Sequence, residues 1–172
     1  MKNYNYLDTL GSIWVNGVQS YKEGNKTPDS LLKDEELEFL ASIGLNKMDL
    51  FDYVEDFALE GEPTWSTFLA IVDIRRSYFL EEQKGEFSSN VVEADSLPAK
   101  SEEAEGIVWL PRIIPKALGK LRGELCPDIM YCCGGDRNFL RTNDIHPAEF
   151  LRIAWKYENN PEQIVQWVKN RS

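Results

Sequence analysis

The stretch LPRIIPKALGKL, residues 110–121, indicates the fold class because its apolar and basic residues both recur with the period of a helix. The apolar residues fall on one side of that helix: Leu110, Ile113, Ile114, Ala117, Leu118 and Leu121. Arg112, Lys116 and Lys120 recur every four residues and form a cationic stripe. Pro115 lies inside the helix, where proline removes a backbone donor, so we expect a kink or a restart there. The stretch predicts an amphipathic helix with one basic side.

The same helical period runs through most of the remaining chain. Helices are predicted over residues 10–21, 34–44, 47–61, 63–83, 137–142, 146–158 and 160–170. Helix-start signals support several of them, among them Thr27 before Pro28 and Asp136 as the cap of the short helix after it. We find no convincing alternation of period two, so the predicted class is all-α.

Residues 84–104 break the helical pattern and are rich in Ser, Glu and Lys, which is typical of a polar linker. Part of this run is expected to lie on the surface of the first half. We therefore predict two small helical lobes, residues 1–90 and 97–172, packed into one compact helical protein.

The two lobes share features that a divergent internal duplication would explain. Gly11 and Trp14 align with Gly106 and Trp109, and the order of the helices agrees. Any two amphipathic helical lobes would give a similar match, so both explanations stay open. We expect both tryptophans to belong to the core.

Composition excludes several classes of protein. The 172 residues carry a formal net charge of −10, which argues against binding to a nucleic-acid backbone. No apolar run reaches the ~20 residues of a membrane span, and the first residues lack the basic and apolar parts of a secretory signal. Three cysteines do not make a disulfide framework. We expect a soluble cytoplasmic protein without a cofactor, a membrane or a nucleic acid among its partners.

Spaced residues in the second half form a pattern that goes beyond periodicity. They are Trp109, Leu110, Pro111, Arg112, Lys116, Gly123, Glu124, Tyr131 to Cys133, Asp136, Phe139, Leu140, Trp167 and Val168. Over residues 97–172 the chain resembles the bacterial domain-of-unknown-function family numbered fifty sixty-nine. It departs from that family at Pro115, where an acidic residue is expected, and at Gly134-Gly135, where Pro-Leu is expected. The resemblance implies a helical fold but no activity, because the family has none to transfer.

The cationic stripe and the glycine pair predict one candidate binding site. Arg112 and Lys116 are suited to a carboxylate, a phosphate or an acidic partner surface. Tyr131, Gly134 and Gly135 are expected to form a loop beside them, since glycine lets a backbone approach a ligand. The alternative is that the stripe docks on the first lobe, where residues 28–62 hold eleven acidic residues and two lysines.

The cysteines suggest two further sites. Cys133, with Asp136 and Arg112, is a candidate nucleophile, whereas most free cysteines are simply small buried residues. Zinc could in principle be held by Cys126, Cys132, Cys133 and His146, although their spacing matches no zinc knuckle and His146 is suited to capping a helix.

Charged residues of the first lobe have structural explanations. Asp52, Glu55 and Asp56 share one helix side, which is usually solvated. Arg76 falls on the inner stripe of the helix at 63–83, so we expect it to bind an anion or to pair with those acids.

Two hypotheses of function remain after these considerations. The first is a non-catalytic binding or accessory protein that recognises a protein partner or a small anionic ligand near Arg112, Lys116 and Gly134-Gly135. The alternative is a small enzyme, or a subunit of one, that uses Cys133 with Asp136 and Arg112. Oligomeric state is left open.

Overall fold

The structure, a computed structural model, describes residues 3–171 and confirms the all-α class. Its helices are α1 (Tyr6–Lys22), α2 (Pro28–Leu31), α3 (Asp34–Ser42), α4 (Met48–Glu60), α5 (Trp65–Glu81), α6 (Leu110–Arg122), α7 (Gly134–Thr142), α8 (Pro147–Lys156) and α9 (Pro161–Lys169). Two short strands, β1 (Glu103–Ala104) and β2 (Ile107–Val108), pair antiparallel before α6. No helix within residues 3–171 has the length and apolar character needed to cross a membrane.

Helix ends follow ordinary capping chemistry. The side chain of Thr27 accepts the Ser30 N–H at the start of α2, and Thr64 accepts the Thr67 N–H at the start of α5. Gly61 ends α4 in the left-handed conformation, with φ +77°. Helix α6 continues through Pro115 from Leu110 to Arg122 without a restart.

The start of α7 differs from the prediction. The helix begins at Gly134, so the glycine pair forms its first turn rather than a loop, and Cys133 is the residue before the helix. Asp136 is therefore not the cap: it lies inside the first turn, where a carboxylate is stabilised by the helix dipole.

One hydrophobic core joins the two halves. Helix α1 packs on α4, while α5 and α6 both pack on α8, so α5 and α8 connect the halves directly. Fully buried residues of both halves, such as Phe68 and Phe150, belong to the same cluster. The Tyr53 hydroxyl donates a 2.7 Å hydrogen bond to the Tyr131 carbonyl across the boundary.

The structure does not show a duplication. Trp14 is a core residue that stacks on Phe68 at 4.8 Å between ring centroids. Trp109 is half-buried and packs against the edge of the same core, so it is less enclosed than Trp14.

The polar segment 84–104 lies mainly along the second half. Val92 forms an isolated parallel β-bridge with Leu125, and the Val92 N–H donates to the Glu124 carbonyl at 2.7 Å. Leu97 is buried against Cys126. Contact with the first half is made by Phe87, whose ring lies 5.0 Å from that of Phe79. The segment thus covers one side of α6 and forms part of the site described below.

The buried arginine of α5 is Arg75, whereas the sequence pattern predicted Arg76. Arg75 is fully buried and donates to the Leu121 carbonyl at 2.8 Å, and burial lowers its pKa to about 10. Arg76 is half-buried and lies 4.2 Å from the ring centre of Tyr6. The prediction was off by one residue, which is a rotation of about 100° around the helix axis. Helix α5 packs against both α6 and α8, so its buried side is broader than a single stripe.

Candidate functional site

A cavity of about 440 Å³ lies between α4, α6, the segment around residues 94–100 and the loop that leads into α7. One group of its lining side chains is acidic, with Asp52, Glu55 and Asp56 from α4. Another is basic, with Arg112 and Lys116 from α6 and Lys100 from the polar segment. Cavities of this size suit small molecules.

Asp136 organises the part of this site where α6 meets α7. Its carboxylate is fully buried and accepts from the Lys116 ammonium at 2.5 Å, the Trp109 indole at 2.9 Å and the Cys132 N–H at 2.9 Å. Lys116 is buried as well, with 4% of its side chain exposed. A buried ion pair is tolerated when further hydrogen bonds satisfy its members, and the Trp109 indole and the Cys132 N–H supply two of them to Asp136.

Two of those donors have an unusual backbone. Trp109 has φ +75° and Cys132 has φ +70°, which are left-handed conformations that cost bulky residues energy. Both residues give a hydrogen bond to Asp136, so the carboxylate stabilises the backbone on each side of the site.

The structure brings Cys133 into contact with Lys116, and not with Arg112, the cation that the cysteine hypothesis names. The Lys116 ammonium lies 3.2 Å from the Cys133 sulfur, and Cys133 is half-buried at the edge of the cavity. Asp136 shares the same lysine, but Arg112 donates instead to the Pro98 carbonyl at 2.7 Å. Cys132 is different: burial first, and the charge of Asp136 second, raise its pKa to about 12.

The three cations of the stripe have separate environments. Lys120 is buried and paired with Asp49 of α4 at 2.6 Å, so it docks the halves as the alternative explanation proposed. Lys116 pairs within its own half, and only Arg112 presents a half-buried guanidinium to the cavity. Arg137 was not predicted to take part, and it pairs with Asp56 at 2.6 Å and with Glu60 at 2.6 Å.

The acidic residues of α4 also differ among themselves. Glu55 accepts from the Tyr21 hydroxyl at 2.9 Å, and Asp56 is occupied by Arg137. The Asp52 carboxylate makes no hydrogen bond or ion pair with another side chain in the described range 3–171. Burial raises its pKa to about 7, against the attraction of Lys120.

Replacing Asp52 with asparagine is expected to stabilise the protein at neutral and alkaline pH. The folded protein keeps the proton on Asp52 up to a pKa of about 7, whereas the unfolded chain releases it near 3.8. The contribution of Asp52 to the free energy of unfolding therefore falls as pH rises from about 3.8 to about 7, and it is constant above pH 7. We expect Asp52→Asn to gain about 1 to 2 kcal/mol at pH 8 and almost nothing at pH 4. Urea denaturation at the two pH values measures this, and an equal effect at both would contradict it.

Of the remaining predicted binding residues, Tyr131 and Gly134 lie apart from the cavity. Tyr131 is fully buried and its hydroxyl donates to the Pro147 carbonyl at 2.8 Å, so it does not line the site. Gly134 is exposed and does not line it either, whereas Gly135 does.

The four residues considered for zinc do not assemble. Cys126 lies in a separate cluster with Leu97 and Ile129. The Nδ1 atom of His146 accepts the Ala148 N–H at the start of α8, as predicted for a capping residue. Within the described range, no three side chains of His, Cys, Asp or Glu are placed to hold a metal ion.

Two lining residues gave little signal in the sequence. Lys100 lies in the polar segment, and the indole of Trp109 would be taken for a core group by its spacing. Comparison of the chain with family models, with curated proteins and with solved structures finds no match. The family resemblance of residues 97–172 stays a prediction.

Proposed function

We propose that the protein is a non-catalytic binding protein whose cavity receives the anionic group of a small ligand at Arg112 and Lys100. The observation that carries the proposal is the 440 Å³ cavity with both side chains in its lining. Arg112 keeps donors free, because within the described residues only its Nη1 atom is engaged, with the Pro98 carbonyl. Lys100 is exposed and makes no ion pair with another residue in the described part of the chain.

Lys116 has a supporting part in this proposal. Its ammonium is already held by Asp136 and contacts the Cys133 sulfur, so it sets the shape and charge of the cavity rather than binding as a free cation. A variant that removes Lys116 would mix loss of binding with loss of stability. Arg112 and Lys100 are therefore the residues to change.

Replacing both Arg112 and Lys100 with alanine is expected to weaken binding of small anions at least tenfold, since a hydrogen bond to a charged group contributes roughly 1.5–3 kcal/mol. Isothermal titration with succinate, citrate and inorganic phosphate measures this. Arg152→Ala is the matched control, because Arg152 is exposed on α8 and outside the cavity. Equal affinities of the double variant and the control would contradict the proposal, as would failure of the unmodified protein to bind any small molecule that carries a carboxylate or phosphate group.

A second candidate function rests on the 3.2 Å contact between Lys116 and Cys133. Cysteine attacks as the thiolate, and the Lys116 ammonium is placed to donate a hydrogen bond to the Cys133 sulfur. An enzyme that uses Cys133, with Asp136 holding the lysine, would fit this arrangement. The rate of alkylation by iodoacetamide separates the two functions. If Cys133 reacts faster than a small free thiol measured at the same pH, the enzyme is favoured. Cys133→Ser identifies the reacting residue.

A further inference from the structure

The groups that remain free in the cavity carry both signs of charge. Lys116 is neutralised by Asp136, and Asp56 by Arg137. Glu55 is partly engaged by the Tyr21 hydroxyl. This leaves the carboxylates of Asp52 and Asp128, which make no ion pair within residues 3–171, together with the side chains of Arg112 and Lys100.

Such a lining is poorly suited to a ligand that carries negative charge alone. An anion at Arg112 would share a 440 Å³ cavity with the carboxylates of Asp52 and Asp128. Like charges that share one small cavity repel, and the repulsion is stronger where water is partly excluded. A ligand that also carries a cationic amine would turn this repulsion into attraction at the acidic groups.

We propose that the ligand is a small zwitterion, an amino acid or short peptide whose carboxylate lies at Arg112 and Lys100 while its ammonium lies at Asp52. This inference rests on the proposed function, since it identifies the ligand class of the same cavity. Apolar surface for the body of the ligand is supplied by Trp109, Ile129 and Met130, which also line the cavity. The volume is in the lower part of the range for small-molecule sites, which fits molecules of this size.

The acidic side of the site adds a dependence on pH. The pKa of Asp52 is about 7, raised by burial and by the charges of Asp49, Glu55 and Asp56, and opposed by Lys120. Ionised Asp52 attracts an ammonium group and neutral Asp52 does not, so zwitterion binding strengthens as pH rises from 6 to 8.

Isothermal titration with matched probes tests the inference. The zwitterions are the common amino acids, glycylglycine and 5-aminopentanoate, and the comparison probes are glutarate and cadaverine, which carry one sign of charge on a five-carbon chain. At pH 8 we expect at least one zwitterion to bind tenfold or more tighter than glutarate and cadaverine. Asp52→Asn should weaken that zwitterion about tenfold while leaving glutarate binding unchanged or stronger. Glu38→Gln, which removes an exposed negative charge of α3 outside the cavity, is the control.

Failure of this inference can be told from failure of the proposed function. If glutarate binds at least as tightly as every zwitterion and Arg112→Ala weakens it, the cavity binds anions and the zwitterion inference is overturned. If no probe of either kind binds, the proposed function and the inference both fail. If a zwitterion binds but Asp52→Asn has no effect on it, the assignment of the ammonium to Asp52 is overturned.

Discussion

Replacing Asp136 with alanine is expected to lower the free energy of unfolding by about 3 to 5 kcal/mol, because the Lys116 ammonium is then buried without a counter-charge. Lys116 is 4% exposed, and among residues 3–171 its only other polar contact is the Cys133 sulfur. The variant also leaves the Trp109 indole and the Cys132 N–H without their acceptor. Urea denaturation followed by circular dichroism gives the change.

The variant Lys116→Met provides the comparison. It removes the ammonium but leaves Asp136 with two donors, so we expect a smaller loss than in Asp136→Ala. Combining the two substitutions should cost less than the sum of the single changes, since neither charge is then left alone. A loss below 1 kcal/mol in Asp136→Ala would show that the pair is not buried as described.

The sequence was sufficient for the fold class because helical periodicity survives in each segment separately. It could not predict which partner each cation of the basic stripe contacts, since Arg112, Lys116 and Lys120 have identical spacing and similar chemistry. Their environments differ because their partners come from elsewhere: Pro98, Asp136 and Asp49. Long-range partners of this kind leave no local signal.

The raised pKa of Asp52 could not be predicted from the sequence for a related reason. On α4 alone it belongs to a polar side that would be solvated. In the folded chain that side borders a cavity closed by residues of the segment 84–104, which composition describes as a linker. Burial beside that cavity raises the pKa of Asp52, and the charges of its α4 neighbours Asp49, Glu55 and Asp56 add to the effect.

The start of α7 was misplaced because two adjacent glycines are poor helix formers, each costing roughly 1 kcal/mol relative to alanine. The structure shows a reason for glycine at only one of the two positions. A Cβ atom on Gly135 would lie 2.5 Å from the Trp109 ring, inside van der Waals contact. A Cβ atom on Gly134 would meet nothing closer than the Arg137 guanidinium at 3.7 Å.

The two glycines are therefore expected to respond to alanine in opposite directions. Gly135→Ala forces the Trp109 ring away from α7 and breaks its hydrogen bond to Asp136, at a cost of about 2 to 3 kcal/mol. Gly134→Ala should be neutral or stabilising by up to about 1 kcal/mol, because alanine favours the helix and fits the space.

Thermal melts of both variants, with the tryptophan emission spectrum as a second measurement, decide the matter. A shift of the emission in Gly135→Ala alone would report movement of the half-buried Trp109 indole. Since Trp109 also lines the cavity, that variant should weaken ligand binding while Gly134→Ala leaves it intact. Equal losses of stability in both variants would mean that helix geometry, and not the packing of Trp109, requires the glycine pair. The contact between Gly135 and Trp109 would then not be needed to shape the cavity.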